Sequence, residues 1–289
     1  MAKRIDHLVI VAHELEALAS LYRKLGFQVG GQNRHDWGTL NHIVQFDGCF
    51  LELLSTEPGF EKPDASTPIA PFANFISDYL VEREGLGLLV LSSDDAARDQ
   101  EVWSKDGIAA DQMLHFERSG AGADGKPSRV AFSLAFASTP SLPKSGFFVC
   151  QQHVPENFWF ADRQVHPNGA VGVSRVVLVA DDPEASRAFL ESFTGAEADS
   201  VGDGGVRIVT AAGVFDCVTP AACKAEYGAS VNSAALAAGG FVAAHVAVKD
   251  LVATEAQFSD AGVDYHVADG RVTVPAQAAH GLALIFEQA

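Results

Sequence analysis

Read along the chain, apolar and polar positions repeat one layout four times. An apolar strand opens each copy: Ile5–Val11, Leu86–Leu91, Val173–Val179 and Phe241–Val248. Apolar residues then recur at helical spacing over Glu14–Leu25, Asp94–Lys105, Pro183–Phe193 and Leu251–Asp260. That period predicts amphipathic helices, each with one face turned to a core. Every helical stretch stops at a glycine, Gly26, Gly107, Gly195 or Gly262, suited to the left-handed residue that closes a helix. A glycine-led apolar strand then ends the copy: Gly48–Leu54, Gly146–Gln151, Gly213–Val218 and Gly281–Glu287.

Aligning the opening strands at His7, Gly87, Arg175 and His245 gives spacings of 80, 88 and 70 residues. A drifting period of that size indicates a duplicated βαβββ module; solenoid repeats are shorter. The connections at 55–85, 154–172 and 219–240 are polar or rich in Pro, Gly and Ala. The second module adds an excursion at Gly120–Pro127, predicted to be a hairpin tip or loop. A main boundary is expected near His166-Pro167-Asn168-Gly169. It divides the chain into residues 1–165, with modules 4–54 and 86–153, and residues 170–289, with modules 173–218 and 240–287. Strands with helices on one side define an α+β fold class.

Composition narrows the partners. Of 289 residues, 48% are hydrophobic and 20% charged, enough for a packed core. The net charge of −17 opposes binding to nucleic acid or to an anionic membrane, both of which reward dense basic surface. The amino terminus runs straight into a strand without the pattern of a secretory leader, and no apolar run is long enough to span a bilayer. Three of the four cysteines lie on apolar strands, where a thiol behaves as a small hydrophobe. A reduced, cytoplasmic protein is the expectation.

Chemistry concentrates in the first module. His7 stands on its opening strand and Glu52 on its closing strand, among apolar neighbours. A buried carboxylate requires a partner, whether a metal, a histidine, Arg34 or a substrate, and in a desolvated pocket it can serve as a general base. Thr39 and Asn41 alternate, so both face the same side of a strand beside that of Glu52, with His35 just before them, the alternative being a turn that bonds local backbone; His42 faces the opposite side. These three, with His153 at the end of the second module, are candidate substrate contacts. Phe158 and Trp159 are expected to pack the linker over the mouth of the site. Arg175 is open to two readings, an anion contact or an ion pair with Asp216.

Paired βαβββ modules with His on the first strand and Glu on the last resemble the vicinal oxygen chelate superfamily. That group includes glyoxalase I, extradiol dioxygenases, fosfomycin-resistance and bleomycin-binding proteins. His35-Asp36-Trp37-Gly38-Thr39-Leu40-Asn41, Phe50-Leu51-Glu52-Leu53-Leu54, Phe147-Phe148-Val149 and His166-Pro167-Asn168-Gly169-Ala170 resemble its glyoxalase-like domain branch. The resemblance implies two modules curled into a cup that holds a divalent metal (Zn, Fe, Mn or Ni) on first-strand and last-strand residues. At the first-strand position the modules offer His7, Gly87, Arg175 and His245. Counted from the leading glycine, the last-strand position offers Glu52, Cys150, Cys217 and Ile285, with Glu287 a substitute two residues beyond. His7, Glu52 and His245 are thus the expected metal set, with His7 and Glu52 also the catalytic pair. The set assembles in one chain only if module one pairs with module four. Pairing of neighbours, the commoner arrangement, separates it. The implied activity is a metal-dependent lyase or isomerase acting on a small oxygenated metabolite, extradiol dioxygenation being less favoured. The alternative is a binding or sequestration protein that uses the cup without metal. A site shared across a homodimer is left open.

Overall fold

The computed structural model describes residues 2–121 and 127–289. The centre of the excursion expected at Gly120–Pro127, residues 122–126, lies outside them. Module one contributes β1 (Ile5–Val11), α1 (Leu15–Lys24), β2 (Asn33–Arg34), β3 (Thr39–Gln45) and β4 (Phe50–Thr56), followed by a connecting helix, α2 (Ala70–Glu82). Module two contributes β5 (Gly85–Ser92), α3 (Ala96–Asp106), β6 (Leu114–Ala121), β7 (Pro127–Ala137) and β8 (Gly146–Gln152). Module three follows with β9 (Ala170–Val179), α4 (Arg187–Thr194), β10 (Ala198–Val201), β11 (Gly205–Val209) and β12 (Val214–Val218). Two short helices, α5 (Pro220–Tyr227) and α6 (Ser233–Ala238), precede module four. That last module comprises β13 (Gly240–Val248), α7 (Leu251–Asp260), β14 (His266–Ala268), β15 (Arg271–Val274) and β16 (Ala283–Gln288).

The strands form two eight-stranded sheets, ordered β2-β3-β4-β1-β5-β8-β7-β6 and β10-β11-β12-β9-β13-β16-β15-β14. Within every module the opening and closing strands run parallel, and the two opening strands of a sheet join antiparallel. Neighbouring modules therefore pair, one with two and three with four. Each central strand is covered on both faces, which explains why it is largely apolar. Along β1, Leu8 and Ile10 enter the core beneath the helices, whereas Val9 and Val11 face the concave side. α1 buries Leu15, Leu18, Ala19 and Tyr22 on one stripe. α3 and α4 end at Gly107 (φ +72°) and Gly195 (φ +67°), left-handed positions where a Cβ would crowd the carbonyl.

One apolar core joins the helical faces of both sheets. Phe147 packs against Phe189, Phe193 and Phe241 at 5.1, 5.3 and 5.7 Å, and Phe27 meets Phe286 at 6.0 Å. The chain crosses between sheets through His166-Pro167-Asn168-Gly169, where the buried His166 and Asn168 side chains form a clasp. The His166 Nε2–H donates to the Gln45 carbonyl (2.8 Å), and Nδ1 accepts the Gln28 N–H (3.0 Å). Asn168 donates to the Leu25 carbonyl, and its own carbonyl accepts the Thr254 hydroxyl of α7. The connections read as polar linkers hold the extra helices. α2 lays Phe72, Ile76, Tyr79 and Leu80 on the first concave face. α5 and α6 lay Cys223, Tyr227 and Ala235 on the second. All four cysteines are buried free thiols. No helix among the described residues is long and apolar enough to cross a membrane.

Candidate functional site

A β-bulge creates the centre of the first cup. β1 pairs Ile5 with Leu91 and His7 with Val90, leaving Asp6 as the extra residue. Strict alternation would turn Asp6 and His7 to opposite faces; the bulge re-aims the chain so that neighbouring side chains meet. His7 Nδ1 lies 2.7 Å from Asp6 Oδ2, and Gln152 Nε2 donates to Asp6 Oδ1 at 3.2 Å. A carboxylate only accepts, so the ring carries its proton on Nδ1, and in the neutral tautomer Nε2 presents a lone pair. The ring is stacked on Phe50 (4.2 Å) and meets the edge of Phe148 (5.5 Å). Its Nε2 faces Glu52 Oε2 at 3.8 Å.

Glu52 is 7% exposed. One of its oxygens is secured: Asn41 Nδ2 donates to Oε1 at 2.5 Å, and Asn33 in turn donates to Asn41 Oδ1 at 3.0 Å. Oε2 has no hydrogen-bond donor within reach among the described residues. Arg34 does not serve it, since that guanidinium forms a two-pronged pair with Glu57. Asn41 thus holds the carboxylate in place. Thr39 is fully buried beneath the wall, where it meets His35 Nδ1 at 2.8 Å; it positions His35 and does not line the cavity. Burial lowers the His35 pKa, and Glu52 only partly opposes this. The His35 ring is stacked on Trp37 at 4.5 Å.

These groups open into a cavity whose walls include Trp37, Phe72, Phe116, Phe132, Phe148 and Phe158. Arg34 and Arg118 also line it. Phe158 packs on Phe50 and Phe132, and Trp159 covers Phe50. Gln45 fastens this segment by donating to the Phe158 carbonyl and accepting the Phe160 N–H. The expectation that Phe158 and Trp159 pack the linker against the cup agrees with these contacts.

The strand register corrects the alignment of modules. His7 lies opposite Phe50 with Glu52 two residues on, and Val90 lies opposite Phe148 with Cys150 two residues on. In the second sheet Arg175 pairs with Val214, two before Asp216, and His245 pairs with Ile285, two before Glu287. The equivalent first-strand residues are therefore His7, Val90, Arg175 and His245, and the last-strand residues Glu52, Cys150, Asp216 and Glu287. Gly87, Cys217 and Ile285 are displaced from these positions. The turn between leading glycine and strand varies in length, and hydrogen bonding to the opening strand sets the register instead.

His245 does not join His7 and Glu52, because pairing of neighbouring modules places it in the other sheet. There it is fully buried, with Nε2 2.9 Å from the Tyr227 hydroxyl and Nδ1 3.1 Å from Glu287. Arg175 donates to Asp216 (2.5 Å) and Glu226 (2.7 Å), and Arg207 also clamps Asp216. The ion-pair reading of Arg175 holds, and the second cup is a closed polar network filled by α5. Hydrogen bonding to His245, helped by Ser174 and Arg271, brings the Glu287 pKa down to about 2. His153 is also misplaced: its Nε2 meets Ser133 Oγ (2.8 Å), which bridges to His115 on the face away from the cavity. His42 bonds Glu16 and the Gly30 carbonyl, as a packing residue would.

The first cup is a poor fit to a resident metal. At the four equivalent positions it offers one imidazole, one carboxylate, the apolar Val90 and the Cys150 thiol. Burial, with the Asp6 and Glu52 charges beside it, pushes that thiol well above its usual pKa, away from the thiolate a metal needs. No group of three His, Cys, Asp or Glu among the described residues is arranged to hold an ion. Asp6 is the residue of this arrangement that the sequence did not single out. Its signal was an acid inside an otherwise apolar central strand.

Fold and site together define a protein of the vicinal oxygen chelate superfamily, with paired βαβββ modules curled around a polar pair. Residues 5–194 match the glyoxalase-like domain, and the chain belongs to that family. No curated protein matches it. Among solved structures it is similar to a hypothetical protein from Staphylococcus aureus (TM-score 0.67, 11% identity, 99% of each chain covered). It is similar also to a mutant of 4-hydroxymandelate synthase from Streptomyces coelicolor (TM-score 0.57, 13% identity, covering 99% of this chain and 92% of that one). A third is the Mn(II)-bound glyoxalase from Novosphingobium aromaticivorans (TM-score 0.58, 10% identity, covering 99% and 81%). At these identities the likeness is one of fold.

Proposed function

We propose that the first cup is the active site of an isomerase or lyase that moves a proton on a small oxygenated metabolite. His7 Nε2, with its ring fixed by Asp6, is the base, and the Asp6 carboxylate stabilises the imidazolium as the proton arrives. Glu52 Oε2, 3.8 Å away, is the second station, able to take or return a proton at a neighbouring atom of the substrate. Asn41 keeps that carboxylate from turning. The aromatic walls exclude water and so strengthen each polar contact inside. The reading is carried by one observation: Nε2 and Oε2 face each other in a buried cavity, each with hydrogen-bonding capacity unused by the described residues.

The test is deuterium incorporation into a panel of 2-hydroxycarbonyl compounds in D₂O, followed by proton NMR. Wild-type protein should exchange the carbon-bound proton of at least one, and His7→Ala and Glu52→Gln should each abolish the exchange. Exchange that survives both substitutions would remove the proposal. A requirement for Zn(II), Mn(II), Fe(II) or Ni(II), lost in both variants, would replace it with the metal-dependent reading. The second reading, a binding protein without turnover, is favoured by Val90 and Cys150, which leave two of the four equivalent positions without a ready donor. Ligand binding with no exchange across the panel would support it.

A further inference from the structure

We infer that the ligand of the first cup carries a flat aromatic body and a free, uncharged hydroxyl, and that this hydroxyl sits between His7 Nε2 and Glu52 Oε2. The inference rests on the reading that this cup is the ligand site, and it names the class of molecule admitted. Asp6 accepts at Nδ1 of His7 and Asn41 donates to Oε1 of Glu52, so one atom of each side chain is left facing the cavity. With 3.8 Å between those two atoms, one oxygen at an ordinary distance of about 2.8 Å reaches both.

Few groups satisfy the pair. A hydroxyl donates its one proton to Oε2 and accepts from Nε2–H when the ring is doubly protonated; against the neutral ring that single proton serves one of the two acceptors. An ether supplies no donor. A carboxylate brings like charge against Glu52. An ammonium brings three donors to two acceptors, leaving one donor unpaired among the aromatic walls. The body of the ligand is set by the walls. His7 lies against Phe50 and Phe148, and the wall continues through Phe132, stacked on Phe116 at 5.1 Å, to Trp37, whose edge meets Phe116 at 5.0 Å. Rings in these orientations offer faces and edges to a planar aromatic guest.

The probes are 2-naphthol, 2-methoxynaphthalene, 2-naphthoate and 1-naphthylmethylamine, titrated into the full chain by calorimetry. 2-Naphthol should bind roughly ten-fold or more tightly than its methyl ether, the size expected of one hydrogen bond to an otherwise unpaired buried acceptor. Glu52→Gln should narrow that preference to about two-fold, since it removes the acceptor of the hydroxyl proton, and His7→Phe should narrow it less. Equal binding of the methyl ether, tighter binding of the carboxylate or the amine, or no binding of any naphthalene would overturn the inference. None of these readouts requires turnover. The proton-transfer reading stands or falls separately on deuterium exchange.

Discussion

Asp6 and His7 are consecutive on a central strand, yet the carboxylate of one accepts from the ring of the other at 2.7 Å. The bulge opposite Val90 and Leu91 makes this contact possible. Asp6→Asn tests what it does. An amide NH₂ turned toward the ring would favour the opposite tautomer and cover the Nε2 lone pair. Turnover should fall about 100-fold with little change in KM. Nitrogen-15 NMR of His7 should show the ring proton shifting toward Nε2. Turnover within about two-fold of wild type would mean that Asp6 is structural only.

Asn41→Ala should cost about 1–3 kcal/mol in urea denaturation, because Glu52 Oε1 loses its only donor among the described residues in a buried setting. Combined with Glu52→Leu, the substitution should cost much less than the sum of the two, since no carboxylate then remains to satisfy. Simple additivity in that double-mutant cycle would refute the coupling.

The His166 clasp makes stability depend on pH. Burial lowers the His166 pKa from 6.5, the Gln45 carbonyl opposing this only in part. The folded state therefore binds fewer protons than the unfolded chain. The contribution is present above about pH 6.5 and is lost as pH falls below it, when the unfolded chain gains a proton that the clasp resists. Protonation would also remove the Nδ1 acceptor used by the Gln28 N–H. His166→Gln keeps a donor and an acceptor without titrating. Thermal melts near pH 7.5 and pH 5.5 should show a smaller drop in Tm for this variant than for wild type.

In the second cup, Asp216→Ala strips two guanidinium groups of a fully buried partner and should destabilise by about 3–5 kcal/mol. Ligand affinity of the first cup should not change, and a large change in that Kd would show the cups to be coupled. Glu287 adds an acid dependence. With its pKa near 2, its contribution is intact above the ordinary value of 4.5 and declines as pH falls from there toward 2. Glu287→Gln should flatten that part of the stability profile.

Val90→His together with Cys150→Glu places donors at the two positions equivalent to His7 and Glu52. The double variant should gain a Tm increase on addition of Zn(II) or Mn(II) that exceeds any response of wild type. Equal responses would refute the register equivalence.

The sequence carried much of this. Periodicities of two and 3.6 depend on local backbone geometry, so the four modules, their helices and the α+β class could be read directly. Alternation places Thr39 and Asn41 on one side and turns His42 away; Asn41 reaches Glu52, whereas Thr39 bonds His35 and does not line the cavity, and Arg175 takes the ion pair with Asp216. Errors arose where one strand's register depends on another. Counting from the leading glycine reached Cys217 and Ile285, while hydrogen bonding to β9 and β13 brings Asp216 and Glu287 to the equivalent sites. Asp6 escaped notice for the same reason, since its bulge exists only in the pairing with β5. Helices α2, α5 and α6 were hidden in segments whose composition resembled linkers.

Local chemistry in the chain was enough to specify which units form and which polar residues lie on their strands. Which of those residues share a cup was settled by long-range contact between opening strands, β1 with β5 and β9 with β13, which kept His245 from His7 and Glu52. The two levels differ physically. A helix or strand is selected by interactions over a few residues, whereas a site is selected by which distant apolar faces bury each other, and four similar modules offer nearly the same face to every partner.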